Sequence, residues 1–177
     1  MRGSLACGGG SLSLPMTKRF RRGLVVGKFA PLHDGHVLVI ETAQKYCDEV
    51  IVLSYSNPEP EIADPALREH WLSLLFPDCT RLVVTKDKLQ EWFARKESVP
   101  VLPDNEADAG VQRDFVALLL EDVLGKRVDA VFTSEAYGPG FANHLTRRLR
   151  QHDPAALAVT HVSVDPAHLK ELERART

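Results

Sequence analysis

Apolar and polar positions along the chain fall into two alternating patterns. Short, nearly continuous apolar runs lie at residues 23–28, 49–55, 81–85, 129–133 and 158–164. Runs of this kind, rich in Val, Leu and Ile, read as strands buried on both faces of a parallel sheet. Between them, residues 34–47, 64–76, 87–96, 111–124 and 141–151 carry apolar side chains at helical spacing. Asp34 is placed to cap the first helix. Asp64 with Pro65 opens the second, whose Leu67, Trp71, Leu74 and Leu75 are expected to share one face. Leu89, Trp92 and Phe93 mark the third, and Trp71 and Trp92 are expected in the core. Gly125 is the natural C-cap of the fourth.

Regular alternation of strand and helix predicts an α/β fold: a Rossmann-like, doubly wound parallel sheet of five strands with helices on both faces, built from right-handed crossovers. Such sheets bind ligands at the carboxyl ends of their strands. The two most distinctive loops, 29–36 and 134–140, both follow strands, so they are expected to line one cleft.

Composition narrows the class. A chain of 177 residues is sized for one domain. Residues 1–17, dominated by Gly and Ser, read as a flexible leader before a domain at 18–177, and Met16 is an alternative start. No apolar stretch precedes Cys7 to form a secretory signal. The basic run Lys18–Arg22 is expected to be a solvated lead-in to the first strand. A net charge of -2 argues against a nucleic-acid binder that relies on a broad positive field, but leaves room for a small anionic ligand. The three cysteines show no C-x-x-C spacing, so no disulfide framework or zinc site is expected. Cys47 and Cys79 should be reduced core thiols of a cytoplasmic protein. No apolar run approaches the length of a membrane span.

The chemistry concentrates between Gly27 and His36. Lys28, Phe29, Ala30, Pro31 and Leu32 lead to His33, Asp34, Gly35 and His36, where a helix begins. A strand end, a tight polar turn and a helix N-terminus form a phosphate site, because free backbone N–H groups and the helix dipole favour an anion. Neither G-x-x-x-x-G-K-[ST] nor G-x-G-x-x-G occurs here, so the side-chain donors are imidazoles. The i, i+3 spacing of His33 and His36 also permits metal ligation, but no third His or Cys is marked, and no protein metal site is expected.

Gly27-x-Phe29-x-Pro31-x-His33-x-Gly35-His36 resembles the H-x-G-H signature of the nucleotidyltransferase superfamily. That resemblance implies transfer of a nucleoside monophosphate from a triphosphate to an acceptor phosphate, with release of pyrophosphate and with Mg2+ accompanying the nucleotide. It implies that His33, His36 and Lys28 contact the phosphates and that Gly27, Phe29, Ala30 and Gly35 shape the nucleotide site, Gly35 by letting the adenine or ribose approach the backbone. Arg68-x-x-Trp71-Leu72 before Phe76-Pro77, Asp104-Asn105-Glu106, and above all the Thr133-Ser134-Glu135-x-Tyr137-Gly138 loop resemble the NadR-type nicotinamide mononucleotide (NMN) adenylyltransferases. The resemblance covers roughly residues 22–166 and adds Ser134, Glu135 and Tyr137 to the ligand site. ATP and NMN, or another small phosphorylated acceptor, are then the expected partners, with no nucleic acid and no membrane; a homo-oligomer stays open. The superfamily's second signature, a Ser-x-Thr-x-x-Arg motif opening a helix after strand five, has no counterpart here. Asp165-Pro166 leads only to a charged helical tail. The alternatives are another adenylyl- or cytidylyltransferase of the superfamily, or a nucleotide-binding relative with impaired catalysis.

Overall fold

The computed structural model describes residues 18–135, 137–165, 167 and 174. The leader 1–17, Cys7 included, and nearly all of the expected helical tail lie outside the described residues. Five strands, β1 (Phe20–Gly27), β2 (Cys47–Ser54), β3 (Thr80–Val83), β4 (Ala130–Thr133) and β5 (Thr160–Ser163), form one parallel sheet in the order β3-β2-β1-β4-β5. Helices α1 (Asp34–Tyr46), α2 (Pro65–Leu75), α3 (Lys86–Trp92), α4 (Ala109–Leu118) and α5 (Gly138–His152) supply the crossovers. The wound order reverses between β1 and β4, so this is the Rossmann-like arrangement with its crevice at that switch point.

Side-chain alternation along the strands divides the core. Val25, Val50 and Val52 face α1 and α2, with Ile40, Ala43, Leu72 and Phe76 packed on them. Leu24, Ile51 and Leu53 face the other way, onto Leu89, Phe115, Leu119, Phe141 and Leu145 of α3, α4 and α5 and the turn that extends α4. Cys47 and Cys79 are both buried.

Several local expectations are corrected. β1 starts at Phe20, inside the basic run: Arg19 and Arg21 are exposed, but Arg22 is half-buried, with its Nε 2.7 Å from Glu49 Oε2. Lys126 joins the same carboxylate, which also lies close to Thr80. Partial burial pushes the Glu49 carboxyl up, yet the hydrogen bonds from Lys126 and Arg22 outweigh it and hold the pKa at about 2. The buried stripe of α2 is Arg68 and Leu72, while Leu67 and Trp71 are half-buried and Leu74 and Leu75 are exposed. β3 ends early because Thr85 is the N-cap of α3, its hydroxyl accepting from Lys88 N at 3.1 Å. α4 begins at Ala109 and continues into a wider π-helical turn, Leu119–Leu124. Gly125 closes it in the left-handed region at φ 60°, as the C-cap reading requires.

Candidate active site

Beyond β1 the chain turns sharply. Phe29 takes φ 51°, a left-handed conformation that strains a bulky residue by roughly 1–2 kcal/mol. Burial offsets the strain: the ring is 1% exposed, folds back over Gly27, and meets the His36 ring edge-on at 5.0 Å. Gly27 has to be glycine here, since a Cβ would lie 2.8 Å from the Phe29 ring. A buried relay holds the turn from below. Arg68, fully buried, donates from Nε to Ser54 Oγ (3.2 Å), and Ser54 donates to the Lys28 carbonyl (3.0 Å). Glu59 and the Ala63 carbonyl accept from the same guanidinium at 2.6 and 2.9 Å.

α1 is capped by His33 rather than Asp34. His33 Nδ1 accepts from Gly35 N at 3.1 Å, and His36 Nδ1 accepts from His33 N at 3.4 Å, a capping box made of imidazoles. Asp34 is the first helical residue and serves only the dipole. The space over Gly35 is taken by His33, whose Cε1 would lie 2.9 Å from a Cβ, so the glycine accommodates the imidazole. The two rings stack at 3.7 Å and 22°.

This geometry determines which nitrogen donates. Both Nδ1 atoms accept backbone hydrogens, so the proton of each neutral ring sits on Nε2. Burial, and then the neighbouring His33, lower the His36 pKa to about 4. At neutral pH His36 is therefore a neutral N–H donor.

The second loop lies across the switch point. Thr133 donates its hydroxyl to the Glu135 carbonyl (3.0 Å), and its Oγ1 is 2.7 Å from His161 Nε2, so that nitrogen donates. Gly138 makes room for the His161 ring, which occupies the place of a Cβ. Burial lowers the His161 pKa. Tyr137 keeps 42% of its surface exposed, but desolvation of its hydroxyl, with the adjacent Glu135, pushes its pKa up to about 12. Burial and the nearby Tyr137 also raise Tyr55, which donates to Gln112 Oε1 at 2.7 Å.

One cleft of about 550 Å³ collects these groups. Gly27, Lys28, Phe29, His33 and His36 line it from β1 and α1, and Ser134, Glu135 and Tyr137 from the loop after β4. Ala30 and Gly35 are near the turn but do not line it. The sequence reading missed Tyr55, Gln112 and Arg113 as cleft residues, and quoted Asn105 and Thr133 only as parts of motifs. Asn105 fastens the loop before α4 to the β2 end, accepting from Asn57 N at 3.1 Å and donating to Ser56 Oγ at 3.1 Å. Nothing in the spacing of Tyr55 or Arg113 sets them apart from an ordinary strand end and a helix surface.

Among the described residues no three His, Cys, Asp or Glu side chains group to hold a metal, and Glu135 is the one carboxylate on the cleft wall. Among the described residues no helix is long and apolar enough to cross a membrane. No curated protein matches the chain significantly. A cytidylyltransferase-like family model matches residues 24–176, a span that takes in the second half of β1, the other four strands and both cleft loops. The imidazole pair at the β1–α1 turn, set in a parallel sheet of this order, accords with that match: the chain belongs to the cytidylyltransferase-like family and is a nucleotidyltransferase.

Proposed function

We propose that this chain transfers AMP from ATP to a phosphorylated acceptor, and that the acceptor is NMN, giving NAD and pyrophosphate. The observation that carries the reading is the imidazole capping box at the start of α1, which turns two Nε2–H donors away from the backbone at the end of β1. An oxygen of the acceptor phosphate attacks the α-phosphorus. The new P–O bond forms as the bond to the bridging oxygen breaks, and that oxygen leaves with pyrophosphate. The nucleophile is already an anion, so no strong general base is needed. The work is alignment and stabilisation of charge on the transferring phosphoryl. His33 and His36 donate to phosphate oxygens, and Lys28, exposed beside them, adds a positive charge.

Magnesium suits this cleft only as part of the metal–triphosphate. Glu135 is the one carboxylate that the described wall would offer to the ion, so the remaining ligands would have to come from phosphate oxygens and water. Bound there, it would supply charge neutralisation of the triphosphate.

Glu135 supports NMN as acceptor: a carboxylate on the cleft wall between Tyr137 and the strand end suits a cationic pyridinium, and Tyr55 and Tyr137 offer neutral aromatic surface. Val111, on the exposed face of α4, and Phe115, buried against Tyr55, stand where the NadR-type resemblance leads one to expect a Trp, so the ring contact would fall to the tyrosines. The test is pyrophosphate release with ATP, magnesium and NMN, against CTP and other phosphorylated acceptors, with His36→Ala as control. Release that needs NMN and is lost in the control supports the reading. Release only with another pair moves the chain to a different nucleotidyl transfer. Binding of ATP without release with any acceptor overturns transfer.

A further inference from the structure

We propose that Arg113 of α4 is a phosphate-binding residue of this cleft, holding a phosphoryl group of the triphosphate or of the acceptor in its guanidinium fork. The inference rests on the nucleotidyl-transfer reading above and adds a contact for which the sequence carries no motif.

The first observation is that Arg113 differs from the other partly buried arginines in having no carboxylate partner among the described residues. Besides Arg113, the described arginines that are buried or half-buried are Arg22, Arg68, Arg81 and Arg148. Each has a carboxylate partner: Glu49, Glu59, Glu69 and Glu121 respectively. Arg113 is half-buried, yet among the described residues it has neither a hydrogen bond nor an ion pair. No nitrogen of Arg113 is sealed from solvent without a partner, so the guanidinium keeps its donors open to the cleft, where an anion can take them. Glu135, the carboxylate on the same wall, is not within ion-pairing distance of it.

The second is placement. α4 approaches from the opposite side of the cleft to α1, anchored by Gln112, which takes the Tyr55 hydroxyl and donates to the Asp104 carbonyl at 2.8 Å. From there Arg113 reaches to the first turn of α5, where a Cβ on Gly140 would lie 2.6 Å from Nη2 and 3.2 Å from Nη1. Glycine at 140 thus keeps open the space for both terminal nitrogens. A planar guanidinium offers parallel N–H donors that match two phosphate oxygens, which a lysine does not reproduce. Among the described residues, Lys28 and Arg113 are the lysine and the arginine on the cleft wall, one from the β1 end and one from α4. The sequence from Asp165 onward lacks the Ser-x-Thr-x-x-Arg motif, and Arg113 brings a guanidinium to the cleft from a different helix.

The experiment is calorimetric titration of wild type, R113Q, R113K and G140A with magnesium–ATP, with inorganic pyrophosphate and with NMN, paired with thermal melts. R113Q is expected to melt like wild type and to bind one class of ligand roughly ten- to a hundredfold more weakly, as loss of a charge-assisted pair implies. A loss for ATP and pyrophosphate assigns Arg113 to the triphosphate; a loss for NMN alone assigns it to the acceptor. R113K should recover part of the affinity. G140A, which keeps the charge but displaces the fork, should weaken the same ligand. Unchanged affinities in a folded R113Q overturn the proposal while leaving nucleotidyl transfer standing. Wild-type binding without turnover on any acceptor overturns transfer, and the titrations still decide Arg113. Absence of wild-type binding to all three probes overturns both.

Discussion

His33 caps α1 and, on the proposed reading, also binds phosphate, two roles that one substitution can separate. Its Nδ1 caps α1 at 3.1 Å from Gly35 N, and its Nε2–H is assigned to phosphate. Removing an N-cap side chain costs about 1 kcal/mol. The reciprocal bond from His33 N to His36 Nδ1, at 3.4 Å, is near the limit of hydrogen bonding and adds little. For a domain of this size 1 kcal/mol lowers Tm by roughly 2–4 °C, which is the expectation for His33→Ala. Asn is among the best N-caps, so His33→Asn should return the melt to the wild-type value. It cannot return the imidazole donor. Loss of one preorganised donor to a transferring group costs on the order of 10²–10³ in kcat. The Asn variant should therefore be stable and slow, and the Ala variant both less stable and slow. Differential scanning calorimetry and pyrophosphate release on the same preparations read the two effects. An Asn variant with wild-type turnover would refute the phosphate role, and an Ala variant with unchanged Tm would refute the cap.

Other perturbations follow from the same structure. His36 has its pKa lowered from 6.5 to about 4, so the unfolded chain binds the extra proton first and stability is lost as pH falls from about 6.5 towards 4. Allowing for solvent around this partly exposed ring, the loss should reach about 1–2 kcal/mol, and urea midpoints at pH 5 and pH 7 should differ less in His36→Gln. Gly138→Ala drives a methyl into the His161 ring and breaks its contact with Thr133, so it should destabilise by roughly 1–3 kcal/mol and loosen the Glu135 loop. A fluorescence-monitored urea melt showing no change would contradict that packing. Arg68→Ala leaves Glu59 without its cation and Ser54 without a donor, an expected loss of about 2–4 kcal/mol in the same assay. Because Ser54 also fixes the Lys28 carbonyl, catalysis should fall as well.

The periodic pattern by itself determined the architecture. Near-continuous apolar runs admit burial on both faces, and their alternation with helices leaves a parallel, doubly wound sheet as the short-connection solution, which the order β3-β2-β1-β4-β5 realises. The H-x-G-H turn was equally legible, since strand, loop and helix are contiguous in the chain. Contacts between distant segments were not. Leu74 and Leu75 fit the helical period of α2, but Arg68, held by Glu59 and Ser54, claims the buried face and turns them to solvent. Asp34 has an N-cap's chemistry, yet the imidazole of His33 reaches the Gly35 N–H because Gly35 lacks the Cβ that would exclude the ring. Tyr55 just beyond β2, Arg113 of α4 and Thr133 of β4 are well apart in the chain. They meet only where the crossovers return to the switch point, because sequence spacing encodes local periodicity whereas the cleft is set by which strand ends the sheet brings side by side.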